Sequence, residues 1–292
     1  MSISFCSSAM RALLPGSCRS ALNHIRSKAL SSCNVSNLIG DGLDLASSCS
    51  MLARSQIALV DSSVSSVSSV NVNAPHQSLE RLENVCSVAQ GVNNMVGCAA
   101  LWTQCFSGSL FYETASDGSF ILTRQAQKGD ENSPNQGLLA MQMRSPLTIL
   151  SKVCRLVSKT IRVNDFLHEA QLVDLGQHAA GLGGKIGTGA AILSSGFSLV
   201  ENGLGVYSYT FGKDSKVVDQ EEGKNDEARR ARFIGLRNAI LGFFCDFIDI
   251  IREAFGLLRE IIPSLLGAHA LAVVAILGII GSALNFVADF IG

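Results

Sequence analysis

The chain has 292 residues and a formal net charge of −1, from 23 basic and 24 acidic side chains. A balance this close to neutral argues against a nucleic-acid-binding scaffold, and the length suffices for one large or two small domains. Apolar residues make up 47% and charged residues only 16%. The charged fraction is below the roughly 25% usual in soluble domains, which favours a membrane-associated protein or a mostly buried surface.

Residues 1–77 are predicted to be a Ser-rich tail and linker that is largely disordered. Residues 1–40 contain no acidic side chain, and basic residues lie among many serines. This composition is typical of an organelle transit peptide, and an uncleaved type III secretion signal or a plain unstructured tail fits it too. Ser-Ser-Val then recurs three times between Ser62 and Val70. A period of three buries no continuous face of a helix or strand, so this stretch reads as a linker.

Residues 78–211 are predicted to be a central helical region. Ser78 is a suitable N-cap, and apolar residues spaced by three and four between Leu82 and Ala99 form a stripe that needs a helical partner. Small residues along the stripe allow close approach, within the chain or in a homo-oligomer. Asp117-Gly118 lies between two segments rich in strand-forming residues, which predicts a small β-hairpin. Residues 127–136 contain no apolar side chain and are expected to be an exposed loop.

A basic amphipathic helix is predicted from Pro146, with Ser145 as its N-cap, to about Val163. No acidic residue lies between Arg144 and Arg162. Such a helix could contact an anionic membrane surface or an acidic partner, and a simple solvated face is the alternative. The candidate contact residues recur at intervals of three and four and are Lys152, Arg155, Lys159 and Arg162.

No catalytic, cofactor-binding or metal-binding residue is predicted, so we expect a protein that is not an enzyme. Asn164 could cap a further helix that ends near Gly176, and His168 within it belongs to no metal or acid–base motif. The glycine-rich segment fails as a phosphate loop because Gly184-Lys185 is followed by Ile186. Residues 179–200 instead fit a tightly packed helix pair or a marginal membrane segment. The nine cysteines have no metal-site spacing and are expected to be reduced thiols.

The C-terminal part is predicted to be a charged linker, residues 212–228, followed by two helices in residues 229–292. The first helix is amphipathic, with charged residues on one half, aromatic residues on the other, and a stop at Pro263. The second runs from Leu265 to Leu284 without a charge and is a candidate membrane span. A buried helix of a soluble domain is the alternative. The predicted fold is therefore mainly α: a helical body, a small β-hairpin, and a C-terminal amphipathic helix plus hydrophobic helix.

The Ser-rich start, the scattered cysteines and the two adjacent hydrophobic segments near the C terminus resemble type III secreted effector and inclusion membrane proteins of chlamydia-like bacteria. The resemblance is compositional and covers about the first 30 residues and residues 233–292. The first hydrophobic segment departs from that pattern because it carries Asp246, Asp249, Arg252 and Glu253. The resemblance implies a protein secreted into a host membrane that acts through partners.

These observations lead to two hypotheses about function. The first is a non-enzymatic, membrane-anchored interaction protein, with one or two membrane segments near the C terminus. Its expected partners are the lipid bilayer and an unidentified protein, with no nucleic acid. The alternative is a pore-forming or translocator-like protein that inserts through the amphipathic helix, the glycine-rich stretch and the terminal segment.

Overall fold

The computed structural model describes residues 16–64, 73–125, 138–212, 225–261 and 268–291. The fold in these ranges is mainly α with one small antiparallel sheet, which confirms the predicted fold class. The elements in chain order are α1 (Gly16–Val64), α2 (Asn73–Ser107), β1 (Leu122–Gln125), β2 (Leu138–Met141), α3 (Pro146–Glu169), α4 (Gln177–Phe211), α5 (Asn225–Ile261) and α6 (Ala268–Ile291).

The six helices form a closed ring. Each helix packs on the next in the sequence, and α6 returns to pack on α1. Neighbouring helices α1 and α2 are antiparallel, because Arg26 reaches Ser107 at one end and Arg54 pairs with Glu83 at the other. A small apolar cluster of Leu101, Leu110 and Leu156 fastens α2 to α3. The remaining interior of the ring is largely polar, and it is described below.

The small β element lies at the end of the ring where α1 begins. Bridges join Tyr112 to Met143 and Thr114 to Phe120, while β1 pairs antiparallel with β2. The predicted turn is present: Gly118 has φ +80°, and the Asp117 carboxylate accepts hydrogen bonds from the backbone and side chain of Ser119. The predicted turn and a small β element are therefore confirmed, but the second predicted strand pairs mainly with residues 138–141, and the segment before the turn contributes isolated bridges. The predicted loop, residues 127–136, lies outside the described residues.

Helix α3 begins as predicted but continues further. The Ser145 hydroxyl accepts a hydrogen bond from the Thr148 amide at 3.0 Å, and Pro146 takes the first helical position. The prediction that a new helix begins at Asn164 is wrong, since α3 runs through that residue to Glu169. Asn164 is exposed, so its side chain meets water and does not have to cap a helix end.

The glycine-rich segment is helical and packs closely on α3. A Cβ at Gly187 would lie 3.0 Å from Ile161 Cγ2, and one at Gly183 would lie 3.2 Å from Asp165 Oδ1. These glycines therefore set a short distance between the two helices. Close packing within the chain also involves the small residues of α2, because a Cβ at Gly97 would meet Ser36 Oγ at 2.8 Å. The proposed homo-oligomer through that face stays a prediction.

Helix α1 occupies most of the region that was expected to be disordered. It extends over 49 residues and packs on both α2 and α6. The prediction that residues 16–64 are largely disordered is wrong, since they form this helix. Some of their polar side chains are buried in the ring, where Ser36 bonds to Asn93 of α2, whereas others, such as Ser31 and Asn34, are exposed. Residues 1–15, residues 65–72 and residues 213–224 of the predicted charged linker lie outside the described residues.

Candidate functional site: a polar chamber inside the ring

The polarity of the helices is inverted relative to a soluble globular domain, in which large apolar side chains fill the core. Most of the described residues that are buried and polar lie on the helices, and one, Asp246, is a carboxylate. Large apolar side chains are exposed on all six helices, with Val92 52% exposed and Phe247 48% exposed. Further exposed examples, one for each remaining helix, are Ile39, Val153, Leu193 and Ile276.

A chamber of about 330 Å³ lies inside the ring. All six helices contribute to its wall, and most of the lining side chains are polar or charged. Examples of lining residues, one from each helix in order from α1 to α6, are Asp41, Asn93, Lys159, Ser195, Asp246 and Asn285.

Uncharged side chains at the chamber wall tie neighbouring helices together. Ser36 Oγ donates to the Asn93 carbonyl at 3.1 Å, and Asn93 Nδ2 donates in return to the Ser36 carbonyl at 2.7 Å. Ser194 Oγ donates to the Ser151 carbonyl at 2.9 Å, which joins α4 to α3. All four residues are buried, so each bond satisfies groups that would otherwise be costly to remove from water.

Charged side chains join helices that are not neighbours in the ring. Arg162 Nη2 of α3 lies 2.8 Å from Glu253 Oε1 of α5, and Arg252 Nη1 of α5 lies 3.0 Å from Asp44 Oδ2 of α1. Since α4 separates α3 from α5 and α6 separates α5 from α1, these ion pairs cross the interior. Glu253 Oε1 also lies 3.6 Å from Arg252 Nη2, so this carboxylate is shared by two guanidinium groups.

Two further carboxylates of α5, Asp246 and Asp249, also line the chamber. Asp246 Oδ2 accepts a hydrogen bond from Asn202 Nδ2 of α4 at 2.8 Å. The chamber therefore presents donors, acceptors and charges of both signs, which can solvate water, ions and small polar solutes in place of bulk solvent.

The four basic residues predicted on α3 contact the chain's own interior. Arg162 belongs to the cross-ring pairs, and Lys152 Nζ approaches Gln104 Oε1 at 3.5 Å. Lys159 lines the chamber, and Arg155, which is exposed, also contributes to the chamber wall. Contact of these residues with a membrane surface or a partner stays a prediction.

The predicted membrane span is only partly described. Leu265 lies outside the described residues, whereas Leu284 is half-buried on α6. Among the helices as far as the structure describes them, none combines the length and the apolar character needed to cross a bilayer. His168 lies near the end of α3, where its Nδ1 is 3.1 Å from the Val173 carbonyl oxygen, and it is not among the residues that line the chamber.

The contribution of α1 to the chamber was not predicted from the sequence. Asn37, Asp41 and Asp44 line the chamber and are spaced by four and three, so they lie on one face of a helix. This spacing could have predicted a helix with a polar face, but the segment was interpreted only from its composition. Comparisons of the chain with protein-family models, curated proteins and solved structures find no match.

Proposed function

We propose that this protein is a membrane-inserting, pore-forming or translocator-like protein without enzymatic activity, whose ring of helices contacts lipid on its outside and encloses a hydrophilic chamber. The observation that carries the proposal is the inverted polarity of the ring. Exposed apolar side chains occur on every helix, while buried serines, amides and paired charges face inward.

A bilayer explains this distribution better than a protein partner does. A single partner covers one face of a molecule and calls for one apolar patch. Here the exposed apolar residues are distributed over all six helices of the ring, as contact with a surrounding apolar solvent requires. Lipid is such a solvent.

The charged groups of the chamber fit the same proposal. Ionisable residues within membrane-embedded bundles face the bundle interior and pair with one another, because an unpaired charge in hydrocarbon is costly. Asp44, Arg162, Arg252 and Glu253 follow this rule. Each helix alone would expose its polar face to lipid, so insertion depends on formation of the ring and not on independently inserting helices.

The membrane-anchored interaction protein is the weaker of the two hypotheses. It requires a body that is separate from its terminal anchor. Helix α6 instead packs on α1 and α5 and contributes Asn285 to the chamber, so it is a structural part of the ring.

The proposal is tested by flotation of the full-length protein with liposomes, followed by carbonate extraction. We expect the wild-type protein to float and to resist carbonate. Replacing Phe247 with aspartate places a charge on the outer face near mid-height of α5 and should strongly reduce the carbonate-resistant fraction, because that charge would enter hydrocarbon.

Asn164→Asp is the matched control. It adds the same charge at an exposed polar position at the end of α3, so its membrane fraction should equal that of the wild type. Wild-type protein that stays with the soluble fraction, or equal membrane binding by all three proteins, would overturn the proposal.

A further inference from the structure

The interior of the ring is divided into two cavities. The chamber of about 330 Å³ is joined by a second cavity of about 480 Å³, which lies towards the end of the ring where α3 ends and α4 begins. Residues that line only the second cavity include Met51 of α1, Glu169 of α3 and Gly256 of α5. Each lies further along its helix, in this direction, than the residues that line the first chamber.

Six residues line both cavities, and they therefore lie between them. They come from α1, α2, α3 and α5 and are Asp44, Gln90, Asn94, Arg162, Arg252 and Glu253. All four charged residues of the cross-ring ion pairs belong to this set. The ion pairs are thus located where the two cavities meet.

These side chains form a continuous connection across the ring. Gln90 Nε2 donates to Asp44 Oδ1 at 2.7 Å, and Asp44 Oδ2 pairs with Arg252. Arg252 Nη2 lies 3.6 Å from Glu253 Oε1, which in turn accepts from Arg162 at 2.8 Å. The path runs from α2 through α1 and α5 to α3, so it extends over the interior from one side to the other.

The connection pairs opposite charges across the interior of the ring. Two cations alternate with two carboxylates, and each carboxylate lies between donors, so the set is balanced in charge. Ion pairs of this kind are strong where water is excluded and weaken when water reaches both partners. The side chains of these four residues are 16–38% exposed, so the connection is partly shielded from water while each charge keeps a partner across the interior.

We propose that Asp44, Arg162, Arg252 and Glu253 form a septum that closes the passage between the two cavities, and that opening it lets ions and small hydrophilic solutes move along the axis of the ring. This inference rests on the proposed function for its role in a membrane. The barrier itself is a property of the folded chain and is testable without lipid.

The barrier is tested by carboxyl labelling of the full-length protein in solution with a water-soluble carbodiimide and glycine ethyl ester, followed by peptide mass spectrometry. Asp246 reports on the first chamber, and Asp165 reports on the second cavity alone. In Glu253→Gln and in Arg162→Gln, which remove one charge of the septum, we expect Asp246 to label several-fold faster than in the wild type, with Asp165 unchanged.

Two further variants separate loss of the septum from general damage. Glu169→Gln removes a carboxylate that lines only the second cavity, so Asp246 should label at the wild-type rate. The exchanged pair Arg162→Glu with Glu253→Arg restores opposite charges across the ring and should slow the labelling of Asp246 again. If Asp246 labels equally fast in wild type and Glu253→Gln, or if the exchanged pair remains as fast as the single variants, no septum closes this passage.

The role in transport is tested by release of carboxyfluorescein from liposomes that carry the same proteins. We expect Glu253→Gln to release dye several-fold faster than wild type and Glu169→Gln, at equal amounts of floated protein. Proteins that float but leak equally contradict the septum as a gate. Proteins that do not float contradict the proposed function, and the labelling result then decides on the septum alone.

Discussion

At the scale of single residues, Lys152 illustrates how burial of a charged side chain in the ring lowers the free energy of unfolding. Lys152 is half-buried on α3, and its Nζ donates to Gln104 Oε1 at 3.5 Å. One neutral acceptor does not offset the cost of moving an ammonium group away from water.

Replacing Lys152 with methionine should stabilise the protein by on the order of 1–2 kcal/mol, because methionine fills a similar volume without a charge to desolvate. Chemical denaturation followed by circular dichroism measures the gain. Lys185→Met, at an exposed position on α4, should give no such gain. Equal effects of the two substitutions on the free energy of unfolding would contradict this explanation.

At the scale of elements, the β-hairpin is fixed to α1 through its turn. Gly118 has φ +80°, and a Cβ at this position would lie 2.1 Å from the Asn23 carbonyl oxygen. Ser27 Oγ of α1 donates to the Ser116 carbonyl at 3.1 Å, and the guanidinium carbon of Arg26 lies 4.0 Å from the centre of the Phe120 ring. The turn therefore approaches the backbone of α1 as closely as only glycine permits.

Gly118→Ala should destabilise the protein more than Gly176→Ala does. Both glycines have positive φ, so each alanine costs about 1–2 kcal/mol in backbone strain. Gly176 has open space where the new methyl group would lie, whereas at Gly118 that group would force the turn away from α1. Thermal unfolding measures the difference, and amide hydrogen exchange of Asn23 and Ser27 should increase in Gly118→Ala alone. Equal losses of stability in the two variants would show that the turn does not depend on this contact.

Local patterns predicted the elements well but not their orientation. The N-cap at Ser145 and the turn at Asp117-Gly118 were predicted because their signals depend on adjacent residues. The two faces of α5 were also predicted. Which face points inward was not, since hydrophobic periodicity defines two faces and the solvent decides which is buried. The partner of Arg252, Asp44, is 208 positions away in the chain, and no local pattern links them.

At the scale of the whole molecule, closure of the ring makes the first and last helices depend on each other. A Cβ at Gly278 of α6 would lie 2.3 Å from Ser48 Oγ of α1, and one at Gly281 would lie 3.0 Å from Ile248 Cγ2 of α5. Helix α6 therefore fits closely between α1 and α5. Without it, the interior faces of both helices would lie open along one side of the chamber.

Truncation after Ile262 tests this dependence. An appended anchor could be removed without loss of the remaining fold. Removal of one helix from a closed ring instead exposes paired polar groups of the chamber to water. It also leaves α1 with α2 as its remaining neighbour. We expect the truncated protein to lose its cooperative thermal transition and to label rapidly at Asp246 with carbodiimide. The matched control is the full-length Gly278→Leu variant, which keeps the chain intact but should force α6 away from Ser48 and lower the melting temperature. A truncated protein that melts cooperatively, with Asp246 still protected, would show that α6 is an accessory helix and that residues 16–261 fold without it.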